Sequence, residues 1–272
     1  MLALLLAIAA LGFRQSFPVP TGPAEGNEIA YARPLSSEPA TLRVATFNID
    51  GGVGRDGRED LARVEKLIAG YDVVGLQEVH GRNESDNQAK NLSQQCGPGW
   101  LFAPVERRWA GRTAFGNGLL CDLVVQQWRR VPIASASSRT NRNAIVVRAL
   151  WRGRPLTIVV THLDRHEDRD AELERVIAMF LQADSPAILL GDLNTTATDP
   201  RLAALRTTPG VVDPLGQSLG SAFPADNVDW ILVRGLRSLA AGIKPTDASD
   251  HNLAWAELAE QEAATAPVLP KN

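Results

Sequence analysis

Ala187-Ile188-Leu189-Leu190-Gly191-Asp192-Leu193-Asn194 is the stretch on which the reading of this chain turns. Four apolar residues follow the turn formers Asp184-Ser185-Pro186 and stop at a glycine, too short for a helix and bounded as a buried strand is. An acid and a carboxamide stand where that strand emerges. The same construction recurs along the chain. Leu42–Phe47 leads to Asn48-Ile49-Asp50-Gly51-Gly52, Val73–Leu76 to Gln77-Glu78-Val79, and Ile158–Thr161 to His162. Asn227-Val228 leads to Asp229-Trp230, and Ser249-Asp250-His251 precedes the last apolar run.

Working outward, nine short runs read as strands: 42–48, 73–77, 100–105, 118–125, 144–150, 156–162, 187–191, 228–233 and 253–258. Two helices are expected. Leu61, Val64, Leu67 and Ile68 form one apolar stripe, and Leu173, Val176, Ile177, Phe180 and Leu181 form another. Acids from Asp168 to Glu174 load the start of the second helix, where the dipole favours them. Many strands and few helices imply an α+β sandwich of packed sheets with helices outside.

Should the strand ends converge, Asp50, Glu78, Asp192, Asp229 and Asp250 share one site with His162 and His251. Carboxylates so gathered repel one another and call for a cation. Oxygen donors, an amide from Asn48 and no cysteine favour Mg²⁺, or Mn²⁺, over zinc. A hard cation with open positions for water and substrate oxygens suits phosphate-ester chemistry. The histidines are then candidates to protonate a leaving group or to stabilise phosphoryl oxygens.

Composition excludes other classes. The 272 residues are 44% hydrophobic and 22% charged, with a net charge of −3, so collagen-like, coiled-coil, disulfide-dense and polytopic membrane proteins are ruled out. No global positive field recruits nucleic acid, but residues 101–154 hold ten arginines against Glu106 and Asp122, and planar guanidinium suits phosphate. Leu2–Leu11 is an apolar run too short to span a bilayer; residues 1–13 match a secretory signal or N-terminal anchor, which implies export. Residues 14–40, rich in proline, read as an extended linker, 41–259 as one domain and 260–272 as a loose tail. Cys96 and Cys121, the only cysteines, are read equally as one disulfide or as two free thiols. His80 and His166 read as surface residues, Trp100, Trp128, Trp151 and Trp255 as core, and Trp109 as a loop residue.

The segments TFNID (46–50), LQEV (76–79), FGNGLL (115–120), THLD (161–164), GDLN (191–194), VDWIL (228–232) and SDH (249–251) together resemble the endonuclease/exonuclease/phosphatase superfamily. That group includes DNase I-like nucleases, AP endonucleases, sphingomyelinases and inositol polyphosphate 5-phosphatases. The seven stand in family order. The resemblance implies a four-layer α/β/β/α sandwich with the site at one edge of two mixed sheets. It also implies a metal held by Glu78 with Asn48 and Asp250, and Asp192 as the group that orients or deprotonates water. Asn194 and His251 would contact the phosphoryl group, Asp229 would fix the tautomer of His251, and His162 would lie near the leaving group. Asp50 matches an extra acid near the metal and Asn117 a site-wall residue. The chain departs from the family pattern at Asn252-Leu253, where Arg-Pro is usual, and at Arg169-x-x-Glu172, where the helix often carries Arg-x-x-Gln.

The implied activity is hydrolysis of a phosphodiester, in nucleic acid or a phospholipid headgroup. A phosphomonoesterase acting on a sugar or inositol phosphate and an inactive binding module are the alternatives. No segment points to an obligate protein partner, and a monomer is expected.

Overall fold

The computed structural model describes residues 17–18, 25–27, 29–31, 39–83, 86–97, 99–107, 114–133, 141–166 and 168–261. The apolar run at 2–11, Trp109 and nearly all of the tail lie outside them.

Among the described residues, eleven longer strands and five α-helices build the fold. In chain order they are β1 (Leu42–Asn48), α1 (Leu61–Ile68), β2 (Val73–Asn83), α2 (Gln88–Cys96), β3 (Gly99–Arg107), β4 (Ala114–Cys121), β5 (Val124–Pro132), β6 (Asn143–Trp151) and β7 (Arg154–His162). Then come α3 (Arg169–Gln182), β8 (Ala187–Asp192), α4 (Pro200–Arg206), α5 (Pro214–Leu219), β9 (Asp229–Arg234), β10 (Leu236–Lys244) and β11 (Leu253–Glu260). The first sheet has the order β3-β4-β2-β1-β11-β10 and the second β9-β8-β7-β6-β5, with two-residue strands added at the edges. β1 and β2 are parallel, as are β7 and β8; every other pairing is antiparallel.

Three clusters of buried side chains define the layers. Val44, Leu119, Val147, Ile158, Val160, Ile188, Leu190 and Ile231 fill the space between the sheets. Val64, Leu67 and Ile68 of α1 and Ala89 and Leu92 of α2 cover the outer face of the first sheet against Ala45, Phe47, Val74 and Leu76. Leu173, Val176 and Phe180 of α3 and Leu202 and Leu205 of α4 cover the second against Val159, Leu189 and Trp230. The expected four-layer sandwich is therefore present. In β8, Ile188 and Leu190 face the other sheet while Ala187 and Leu189 face the helices. Burial on both faces is why its run is apolar without alternation.

Several elements differ from the sequence reading. The single strand expected at 118–125 is two, β4 and β5, joined by a hairpin at Asp122-Leu123. β5 continues to Pro132 with mostly exposed polar residues, so its apolar signal is weak. β10 is an unpredicted edge strand interrupted by a bulge between Ser238 and Ala240, and α2, α4 and α5 carry too few apolar residues to announce themselves. The proline-rich stretch is not simply a spacer: Phe17–Pro18 and Ala30–Tyr31 pair with β3, Glu25–Gly26 pairs with β5, and Ile29 is buried between the sheets. Extended backbone of this kind can pair at a sheet edge wherever an N–H remains. β3 and β4 pair as expected, but Cys121 faces the inter-sheet core and Cys96 packs in the outer helical layer, so no disulfide joins the two.

Candidate active site

Both parallel strand pairs end at the same edge of the sandwich. β1 ends at Asn48, β7 at His162 and β8 at Asp192, while antiparallel β9 starts there with Asp229. The ladder places His162 opposite Asp192, and Asp192 opposite Asp229. β11 runs antiparallel to β1 with Ala254 opposite Thr46, which brings the preceding Asp250-His251 alongside Asn48.

Local backbone then aims the side chains. β2 carries a bulge between Leu76 and Val79 relative to β4, and Glu78 within it has φ +56°. A bulge re-aims a side chain that the pleat would send elsewhere. Asp50 at φ +45° and Asn194 at φ +45° are also left-handed. Three of the four described non-glycine residues with positive φ thus lie at this edge, the fourth being Arg152. Such conformations cost on the order of 1 kcal/mol each and gather at functional sites.

The contacts are direct. The Asn48 carboxamide donates to Glu78 Oε1 at 3.2 Å and to Asp192 Oδ2 at 3.1 Å, and its oxygen accepts from the Asp50 N–H at 3.1 Å. Asp192 Oδ1 accepts from the Asn194 N–H at 2.9 Å. Asp192 Oδ2 lies 3.4 Å from His162 Nε2 and 3.7 Å from His251 Nε2. His251 Nδ1 is 2.8 Å from Asp229 Oδ2. The Asn194 carboxamide donates to the Leu163 carbonyl at 2.9 Å and lies 3.2 Å from His162 Nε2. Asp250 is exposed and held by Ser249 Oγ at 3.2 Å. Arg55 donates to the carbonyls of Thr246 and Asp250, tying this loop to the one bearing Asp50.

The two histidines differ in charge. Burial opposes charging His251, but the Asp229 hydrogen bond and the fields of Asp229, Asp192 and Asp250 outweigh it and raise the imidazole to about 9. Burial holds His162 well below its usual value, helped by Arg142, His251 and Arg165. The neutral ring is therefore the form that this environment favours for His162. Asp192 is raised to about 6, by burial first and Asp229 second. Burial likewise raises Glu78, against the Asn48 hydrogen bond and with the charges of Asp50, Asp192 and Asp250 adding to it. Asp50 is raised by burial and by Asp250.

Two acidic groupings could receive a cation. Ligand atoms of Asp192, Asp229 and His251 lie within 4.8 Å of one another. The Asp229–His251 pair already compensates its own charge, and a protonated imidazole is no ligand. Glu78, Asp50 and Asp250, with the Asn48 amide, are oxygen donors; the charge of Asp250 raises both Glu78 and Asp50, and this set fits a hard divalent ion.

Asn117 does not line the site. It is buried and donates to the carbonyl of Asn143 at 2.9 Å and to its side-chain oxygen at 3.1 Å, joining β4 of one sheet to β6 of the other. His80, read as a surface residue, is half-buried: its ring lies against Gly51, where a Cβ would stand 2.7 Å from it, and 5.8 Å from the Phe115 ring. Phe115 in turn is 6.3 Å from the His162 ring, so the two form a partly exposed rim beside the acids. Arg142, counted earlier only as one of ten arginines, reaches His162 Nδ1 at 3.3 Å. No spacing rule marks it, because the contact crosses between two strands.

Strand ends that deliver acids, amides and two imidazoles to one edge have the make-up that phosphoric ester hydrolysis calls for, and the family comparison gives the class of protein. The profile of the endonuclease/exonuclease/phosphatase family matches residues 45–251, and the chain belongs to that family. Its members are phosphoric ester hydrolases. Among curated proteins, none matches this sequence. Solved structures share the fold. An endonuclease/exonuclease/phosphatase from Beutenbergia cavernae is 22% identical with a TM-score of 0.66, covering 84% of this chain and 74% of that one. The human nocturnin catalytic domain, solved with bound sulfate, is 18% identical with a TM-score of 0.63 over 82% of this chain and 94% of its own. Danio rerio TDP2, solved with a single-stranded DNA product, is 18% identical with a TM-score of 0.61 over 81% and 99%.

Proposed function

We propose that the protein is an exported, Mg²⁺-dependent phosphodiesterase that splits its substrate by in-line attack of water. The observation that carries this reading is the position of Asp192. It is hydrogen-bonded through Asn48 to the acidic cluster on one side and lies within 4 Å of both imidazoles on the other.

Glu78, Asn48 and Asp250, with Asp50 at the margin, would hold Mg²⁺ (or Mn²⁺), which when bound neutralises charge on the phosphoryl oxygens and the departing oxygen. Asp192 takes the proton of the attacking water as its oxygen bonds to phosphorus and the bond to the leaving oxygen breaks. The Asn194 N–H on Oδ1 and the Asn48 amide on Oδ2 fix the carboxylate for that transfer. His251, kept charged by Asp229, faces the negative charge that develops on the phosphoryl group. Asn194 and the Nε2 edge of His162 flank the same position.

A nucleic-acid diester is favoured over a phospholipid headgroup by the arginines of 101–154 and by the DNA product in one structural neighbour. Export rests on the apolar run at 2–11, and the enzyme acts as a monomer. Among the described residues no helix is long and apolar enough to cross a membrane.

The deciding experiment is a hydrolysis screen across DNA, RNA, sphingomyelin and inositol phosphates, with and without EDTA. Glu78→Ala and Asp192→Ala should each lower diester turnover by at least about a hundredfold, with thermal unfolding little changed. Undiminished turnover in both variants sinks the reading, and faster cleavage of monoesters than of any diester moves it to a phosphomonoesterase.

A further inference from the structure

Arg142 precedes β6, and its side chain is only 13% exposed. Its NH1 group lies 3.3 Å from His162 Nδ1, its NH2 group 3.6 Å from Asp164 Oδ1, and its Nε is buried without a partner. A guanidinium buried to this depth needs a reason, since desolvating a charge is unfavourable. It carries donors only, so His162 Nδ1 must be the acceptor. In a neutral imidazole the single hydrogen is then on Nε2. Nε2 is the nitrogen that faces an acceptor, Asp192 Oδ2, at 3.4 Å, while the Asn194 amide nitrogen at 3.2 Å directs a hydrogen to the Leu163 carbonyl.

We propose that Arg142 is a positioning residue that locks His162 in its Nε2–H tautomer, so that the ring offers a hydrogen-bond donor to a phosphoryl oxygen beside Asp192. The proposal rests on the reading of this edge as a phosphoryl site. The support behind Arg142 is itself built in. Asp164 Oδ2 accepts from the His166 N–H at 3.0 Å, and the Asp164 N–H donates to Glu172 Oε2 at 2.7 Å. Glu172 on α3 is fully buried, so the position at which the sequence departs from the family's usual glutamine anchors the residue that steadies Arg142.

A double-mutant cycle tests this. Glutamine at 162 carries an amide N–H close to where Nε2–H lies and has no tautomer to fix. Arg142→Met should reduce kcat on bis(p-nitrophenyl) phosphate with Mg²⁺ by about tenfold or more in the His162 protein, yet by less than about threefold in the His162→Gln background. Arg142→Lys, still a donor, should recover most of the loss. Equal losses in both backgrounds overturn the proposal, because Arg142 would then act on substrate or folding directly. A second arm needs no activity: ¹⁵N spectra of histidine-labelled protein at neutral pH should show His162 with a bare Nδ1 and a protonated Nε2. A protonated Nδ1 in the wild-type protein overturns the proposal even where turnover is high. A chain inactive on every phosphate ester instead sinks the phosphoesterase reading and leaves the spectral result to judge the tautomer.

Discussion

Asp50, Glu78 and Asn194 hold a left-handed backbone that their side chains do not favour, and the surrounding ladder keeps them there. At this scale His162 makes a sharp prediction. The folded protein keeps it neutral, whereas the unfolded chain takes up a proton below about 6.5. Because the folded pKa is lowered, the unfolded state binds more protons in acid, and stability falls as pH drops below that value. Its contribution approaches about 1.4 kcal/mol per pH unit, one proton's worth. Unfolding measured from pH 7 to pH 5 should therefore show a steeper acid loss in the wild-type protein than in His162→Gln; parallel curves would refute a neutral His162. The identities of the acids, amides and histidines were legible in the sequence, since each stands at one end of a short apolar run. The backbone strain was not, because nothing in Gln77-Glu78-Val79 signals a bulge.

Elements position these residues through ties between layers. Asn117 is spent on Asn143, whose own amide donates to the carbonyls of Ala103 and Pro104, so the two sheets are stitched beside the site. Thr161 Oγ1 adds a bond to the same Asn143 carbonyl. Asn117→Leu should destabilise the fold by about 1–3 kcal/mol, the cost of leaving buried polar partners unmet, as read by urea unfolding. It should also lower turnover by loosening Arg142 next door; an unchanged midpoint would show the tie to be idle. At Gly116 a Cβ would stand 2.2 Å from the Ala103 carbonyl, so Gly116→Ala should shift β3 against β4 and lower Tm. Strands buried on both faces were readable as apolar runs. β10, exposed on one side and broken by a bulge, was not, and its Gly242 lies close under the Trp255 indole, where a side chain would give no apolar signal.

The whole molecule couples the site to folding. Burial and the charges of Asp50, Asp192 and Asp250 raise Glu78 in the native state and are relieved when the chain unfolds; a cation that binds only the native cluster must stabilise it. Free Mg²⁺ at about a hundred times its Kd should add about 2.7 kcal/mol, a rise of several degrees in Tm for a domain of this size. Glu78→Gln should abolish most of that rise, and a Tm indifferent to Mg²⁺ in the wild-type protein would exclude a metal at this edge.

The sequence by itself determined the alternation of buried strands with polar ends, and with it the two-sheet sandwich and the roster of candidate groups. These follow from local hydrophobic pattern and chain order. Only the tertiary structure decided that Asn117 ties the sheets instead of lining the site, that His80 and Phe115 border it, and that Arg142 reaches His162. Those facts depend on which residues from distant strands share a register, and on the direction in which bulges and positive-φ turns send a side chain. Neither quantity is written in the period of the hydrophobic pattern.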